Sequence, residues 1–325
     1  NGRPAAAKPG TIYYNKDFKT IEYWDGNFWR QVDNTTRRGR GLVGGGADPA
    51  NTALIESMEM STEGSAAYFG DRTISSNNPS ACSSATRGLF CGGGDPAGNN
   101  TIDYVTIASA GNAVDFGDRT SKQFSTGSCG SSTRGLTGGG NPASNIIDYH
   151  QFSTLGDSID FGDLTSTQYG IASASSPTRG FWLGGTNDDA EMQYVTIAST
   201  GNAIDFGNLT AGNRNGRACS NTTRLLKGGG SGTGGGADVI DYITMASLGD
   251  ATRFGDMAIP HTEFGASFAN ETRGFWCAGR NPANITLIQK VEIATTGNAE
   301  SFGDMGTARQ KVAGLSDSHG GLGGF

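Results

Sequence analysis

The chain has 325 residues, a net charge of −7, 35% hydrophobic residues, 17% charged residues and 53 glycines. It has no basic run of the kind that tracks phosphates, which argues against nucleic acid as a partner, and no run of about 18 apolar residues to insert in a membrane. The low charge also argues against a charge-extended disordered chain, whereas abundant Gly, Ser, Thr and Asn suit many short strands and turns.

The first residues, NGRPAAAKPG, lack an initiator Met and an apolar signal core, as expected of a processed end or a fragment. Residues 10–29, GTIYYNKDFKTIEYWDGNFW, carry seven aromatics, and Asp25–Gly26 is a hairpin signal between IEYW and NFW. Residues 1–36 are therefore expected to form an aromatic-rich β-hairpin segment that caps the main domain, meets a neighbouring chain or packs on itself.

A repeat fills residues 37–325. One phrase recurs as RGLVGGG (40–46), TRGLFCGGG (86–94), TRGLTGGG (133–140), TRGFWLGG (178–185), TRLLKGGG (223–230) and TRGFWCAG (272–279). A second, FGD or FGN, begins at residues 69, 116, 161, 206, 254 and 302. Fourteen residues before each of these Phe stands Ile55, Ile102, Ile147, Met192, Ile240 or Ile288, so insertions are confined to other stretches. Units lie near 40–84, 85–131, 132–176, 177–221, 222–270 and 271–316, with a closing strand at 317–325.

In the unit 119–163, RTSKQFSTGSCGSS reads as a small, polar, channel-lining strand, and TRGLTGGG as a second strand. NPASN is a turn, and IIDYHQFSTL and IDFGDL are further strands rich in β-branched and aromatic residues. No window sustains helical spacing. Four strands per unit of about 45 residues is propeller arithmetic, so the fold class is all-β, a propeller of four-stranded blades. The repeats begin at a second strand, so a C-terminal strand is expected to close the ring. Six blades are preferred; seven arise if TIEYWDGNFWRQV supplies half a blade.

Position six after each repeat arginine is Gly46, Gly93, Gly140, Gly185, Gly230 or Gly279, which points to positive φ or close backbone approach. These glycines lack the strand–loop–helix context of a phosphate cradle. Arg40, Arg87, Arg134, Arg179, Arg224 and Arg273 are expected to bond the FGD carboxylates or backbone carbonyls; the alternative is an arginine ring around an anion. Cys82, Cys129 and Cys219 sit five residues before repeat arginines, so the five cysteines are expected to be free, small and buried.

His150, His261 and His319 occupy unrelated repeat positions, so no metal cluster or His-paired nucleophile is expected. Cys-x-x-Cys, Gly-x-Ser-x-Gly and His-Glu-x-x-His are missing, and repeated carboxylates spread around a ring do not converge in a cleft. The expectation is no enzyme, no cofactor and no metal. Recognition belongs on the variable 2–3 and 4–1 loops, which share one face. Candidates there are Asn51, Asn99, Gln123, Ser144–Asn145 of NPASN, Gln168, Asn187, Asp188, Asp189, Asn213, Arg214, Asn281 and Asn284.

Gly139–Gly140, Tyr149 and Phe161 resemble the kelch repeat pattern, with Phe where that pattern has Trp. TRGLFCGGG…TIDYVTIASAGNAVDFGD is similar to repeats in tail-fibre and other structural proteins of tailed bacteriophages, marine ones above all. Residues 10–29 resemble a short segment of phage fibre proteins. The resemblance implies a virion structural protein, assembled in host cytoplasm and exposed outside, present in many copies or as a homo-oligomer beside other virion proteins. It implies attachment to a host-surface glycan or protein; the alternatives are a purely architectural subunit and an extracellular carbohydrate-binding or carbohydrate-active protein.

Overall fold

Third strands such as Ser144–Gln151 (SNIIDYHQ) hide Ile147, Asp148 and His150 while Asn145, Ile146 and Tyr149 stay half-buried. A strand covered on both faces at its centre must lie between two other layers. The computed structural model supplies those layers; it describes residues 4, 7–15, 20–24, 26, 29–32, 39–94, 97–232, 237–261, 263 and 265–323.

Six four-stranded antiparallel sheets form the blades of a β-propeller. Numbered in chain order, blade 1 comprises Ala313–Ser316, Arg40–Gly44, Leu54–Glu59 and Ala67–Asp71. Blade 2 runs from Ser80–Ser83 to Val114–Asp118, and blade 3 from Gly127–Gly130 to Ile159–Gln168. Blade 4 runs from Ala172–Ser175 to Ile204–Asn208, blade 5 from Arg217–Ser220 to Thr252–Asp256, and blade 6 from Ala266–Ala269 to Glu300–Asp304. The first strand of every blade packs against the first strands of both neighbours, so these six short strands close a ring around the axis.

The strand that completes blade 1 is Ala313–Ser316, pairing Ser316 with Gly41 and Ala313 with Gly44. This corrects the position expected for the closing strand. Residues 317–323 instead turn inward, and Gly320–Leu322 is a 3-10 helix capped by His319. A second 3-10 turn, Thr186–Asp188, was also not anticipated. The described residues of TIEYWDGNFWRQV contribute to no blade. Ile12–Asn15, Thr20–Trp24 and Trp29–Val32 form their own three-stranded sheet, one strand more than a hairpin, because IYYN pairs along TIEYW. Asp25 lies outside the described residues.

The core lies between blades. Cys129, Leu136, Ile147 and Phe161 of blade 3 pack with Trp182, Val195, Ile197 and Ala203 of blade 4, and each of the other five seams has a similar cluster. Burying one such side chain stabilises the fold by about 1.5–3 kcal/mol.

Both repeated phrases serve these seams. Gly46, Gly93, Gly140, Gly185, Gly230 and Gly279 all have φ between 94° and 133°. Their N–H groups donate to Ser76, Gln123, Gln168, Asn213, His261 and Arg309 carbonyls in the 4–1 loops. The repeat arginines donate through Nη1 across the seam to the Ile107, Phe152, Ile197, Met245, Ile293 and Met60 carbonyls at 2.5–3.2 Å. Arg87, Arg134, Arg179 and Arg224 also lie over Tyr104, Tyr149, Tyr194 and Tyr242. Where Ser57 and Lys290 replace that Tyr, Arg40 and Arg273 pair with Glu59 and Glu292 instead.

Among the described residues no repeat arginine bonds an FGD carboxylate; Asp256 pairs instead with Arg253 of its own strand. The FGD segment works through backbone: the N–H of Asp71, Asp118, Asp163, Asn208 and Asp256 donates to Asn112, Asp157, Asn202, Asp250 and Asn298 of the next blade. A Cβ on the FGD glycine would meet the next blade's turn at 2.1–2.5 Å, so only glycine lets the outer strands clasp. Asn208 fits the same clasp because its backbone N–H, like that of the aspartates, makes the bond to the next blade.

Candidate functional site

The ring leaves a narrow axis lined by the short first strands, whose small side chains are dictated by crowding. Ser83, Ser175, Ser220 and Ser316 donate to the carbonyls of Ser316, Gly130, Ser175 and Ala269 in the preceding blade, so the lining is a hydroxyl-to-backbone ladder. Cys82, Cys129 and Cys219 also lie on these strands. All five cysteines are free and buried. Burial pushes the Cys129 and Cys219 thiols up to about 12, which keeps them protonated and inert.

The two mouths of the axis differ. At the 1–2 turn side the tail crosses it: His319 Nε2 lies 2.8 Å from the Ser83 carbonyl, and Gly321 packs against the Gly130 carbonyl. At the opposite side a small recess opens among Ser80, Thr126, Ser128, Ser173, Ser267 and Arg217. Arg217 starts its first strand where the equivalent residues are Ser80, Gly127, Ala172, Ala266 and Ala313. Its Nε donates to the Gly265 carbonyl at 2.9 Å, and burial holds its guanidinium down at about 10.

The 2–3 and 4–1 loops surround this open mouth, but several expected binding residues turn out to be framework. Asn99, Gln123, Gln168 and Asn213 are buried. Asn99 donates to the Gly93 carbonyl; Gln168 joins Asp189 and Ser166 and accepts from the Thr186 N–H; Asn213 donates to the Gly229 carbonyl and accepts from Lys227. The side-chain bonds of Asn99, Gln168 and Asn213 hold their loops in place, whereas Gln123 Oε1 is buried without a hydrogen-bond partner among the described residues. Ser144 is buried too, and its Oγ accepts from the Ile146 N–H.

The half-buried candidates tie neighbouring loops together. Asn51 accepts from Asn77 and donates to the Gly94 carbonyl, and Asn284 donates to Asp48. Asp189 accepts from Gln168, while Asn145 and Asn281 sit half-buried at turn edges. Asn187 and Arg214 are exposed, and Arg214 Nε approaches Asp188 Oδ1 at 3.7 Å.

Sequence reasoning missed Phe124 and Tyr169. With Arg214 they occupy one position, eight residues after the FGD phenylalanine, in three successive 4–1 loops. Phe124 and Tyr169 are partly exposed. Aligning the six loops by that Phe, instead of scanning for Asn and Gln, would have singled them out.

Behind the loops, a buried polar residue recurs on the third strand: Glu56, Asp103, Asp148, Gln193, Asp241 and Gln289. Arg72 and Arg119 pair with Asp103 and Asp148 at 2.8 and 3.3 Å, and Arg309 pairs with Glu56 at 3.1 Å. Lys227 faces Asp241 across paired strands. Where glutamine stands, its amide oxygen accepts from the Thr165 or Ile259 N–H. Carboxylates come with a buried cation and amides do without one, as the cost of an uncompensated buried charge requires. Burial drags Lys227 down to about 7 and His261, beside Gln289, down to about 4.

No helix among the described residues is long and apolar enough to cross a membrane. No protein-family model matches the chain and no curated protein does.

Proposed function

We propose that the chain is a bacteriophage virion structural protein, a fibre, spike or appendage component, whose propeller presents a host-attachment face. The observation that carries this reading is the asymmetry of the two mouths. One is covered by the chain's own tail, while the other is ringed by loops that differ from blade to blade. Phe124, Tyr169 and Arg214 lie side by side in sequence register on that rim, and aromatic faces with an arginine and nearby amides are suited to carbohydrate. The fibre-like wording of the repeats supports the virion assignment.

Glycan-array binding and competition of host-cell adsorption by the free chain test it. The expected result is binding that Phe124→Ala and Tyr169→Ala together reduce at least ~10-fold. A chain that binds no host surface or glycan overturns attachment. The competing architectural reading is favoured by one set of contacts: Asn51 with Asn77, and Asn284 with Asp48, spend rim polarity on loop-to-loop bonds.

A further inference from the structure

His150 is out of place in the repeat. Eleven residues before each FGD phenylalanine the other units hold Met58, Val105, Val195, Ile243 and Val291, all apolar. Only blade 3 puts an imidazole there, and it is buried at the seam with blade 2. The ring stands edge-on to Phe116 and Phe152, with centroids 5.7 Å away on both sides. Nδ1 has no hydrogen-bond partner among the described residues, so the polar chemistry of this residue is directed through Nε2.

Nε2 faces sulfur. Cys82 Sγ lies 3.6 Å away, and the Cys91 thiol completes a group whose three ligand atoms all lie within 4.8 Å of one another. Cys82 comes from the first strand of blade 2, Cys91 from the second, and His150 from the third strand of blade 3. Gly135 borders the group: a Cβ there would meet Nε2 and Cys82 Sγ, at 2.3 and 2.9 Å. No other seam among the described residues assembles such a set.

We propose that Cys82, Cys91 and His150 bind one thiophilic d10 ion, zinc(II) or copper(I). An ion about 2.3 Å from sulfur and about 2.0–2.1 Å from nitrogen, at a near-tetrahedral angle, holds those two atoms about 3.6 Å apart, the spacing already present. Binding zinc(II) replaces two thiol protons, which leave to solvent. Two thiolates, one neutral imidazole and a divalent ion then sum to zero charge, which suits a site with no exposure. Copper(I) leaves one negative charge, and Arg119 stands nearby with its Asp148 partner. The ion would tie blade 2 to blade 3 during folding. The proposal is independent of the attachment reading: a metal-free chain that adsorbs to cells, or a metallated one that does not, separates the two.

The test uses the full chain, reduced and stripped of metal, titrated separately with zinc(II) and copper(I) against chromophoric competitors. His150→Val, which restores the residue of three other units, and Cys82→Ala, the residue blade 4 holds as Ala174, are run alongside with circular dichroism to confirm folding. The expected result is one equivalent of at least one ion bound to the parent chain, at least ~100-fold weaker binding in both folded variants, and a thiolate charge-transfer band with cobalt(II) that disappears in His150→Val. Equal binding by the parent and His150→Val overturns the proposal. So does failure of the parent chain to bind either ion.

Discussion

The seam between blades 2 and 3 and the seam between blades 3 and 4 are built from equivalent positions by opposite means. At the latter, Trp182 is fully buried, lies against Gly138 and donates Nε1 to the Gly127 carbonyl at 3.0 Å. Its polar third-strand residue is the neutral Gln193, and Leu164 follows the FGD. At the former, Cys91 and Thr137 take the places that Gly138 and Trp182 hold at the latter, and Arg119 follows the FGD to meet Asp148. The pattern alternates around the ring. Phe90, Trp182 and Trp276 press on Gly44, Gly138 and Gly228 of blades 1, 3 and 5, whereas at the intervening seams the position of that ring is taken by Thr137, Lys227 and Val43. The lesson is that a seam must be filled and its charge balanced, but the means are exchangeable, and blades are matched in pairs.

Breaking the aromatic seam should cost most. Trp182→Ala is expected to lower stability by about 3–5 kcal/mol in chemical denaturation, since the cavity faces a backbone that cannot collapse. Losing less than about 1 kcal/mol would mean the seam repacks.

Arg119→Leu should cost about 3 kcal/mol or more by leaving Asp148 buried without its cation, whereas Arg119→Leu with Asp148→Gln copies the neighbouring seam and should recover to within about 1 kcal/mol of the parent. If the double variant is no better than the single one, charge matching is not the governing rule.

A smaller, pH-dependent effect sharpens the same point at the seam between blades 5 and 6. His261 is held at about 4 against an ordinary 6.5, so the folded state resists protonation that the unfolded state accepts. Above pH 6.5 the difference vanishes; as pH falls from 6.5 to 4 stability should drop by up to about 3 kcal/mol, then level off. His261→Gln, the residue at the matching loop position in Gln123 and Gln168, should remove that part of the acid sensitivity, measured as Tm against pH. The smallest change is expected for Asp118→Asn, which copies Asn208: within about 0.5 kcal/mol, because its backbone N–H makes the clasp.

The ring was legible because the two phrases repeat with fixed internal spacing, and their glycines sit where side chains cannot fit. The arginines were legible only in part. Their fork geometry favours carbonyls or carboxylates equally, and the choice of the next blade's carbonyl depends on a contact more than 60 residues away in sequence. Asn99, Gln168 and Asn213 looked like ligand groups because polarity reads as exposure, yet a loop folded onto a blade seam must satisfy its own backbone first. The meeting of His150 with Cys82 and Cys91 was hidden for the same reason: each residue is ordinary in its own strand. The tail segment Gly320–Gly323 carries a single apolar residue, Leu322, and no periodic signal, and its place across the axis follows from the room that small first-strand residues leave.

The single noncovalent closure gives the molecule a direction of mechanical weakness. Arg40 and Ser316 sit at the same end of one antiparallel pair, so tension applied between them peels Ser316 from Gly41 first and Ala313 from Gly44 last. Strand pairs loaded this way part in sequence under low force, and every other blade is held by continuous chain. A pull across the ring should therefore unlatch it at blade 1 once His319 releases Ser83, long before any other sheet yields.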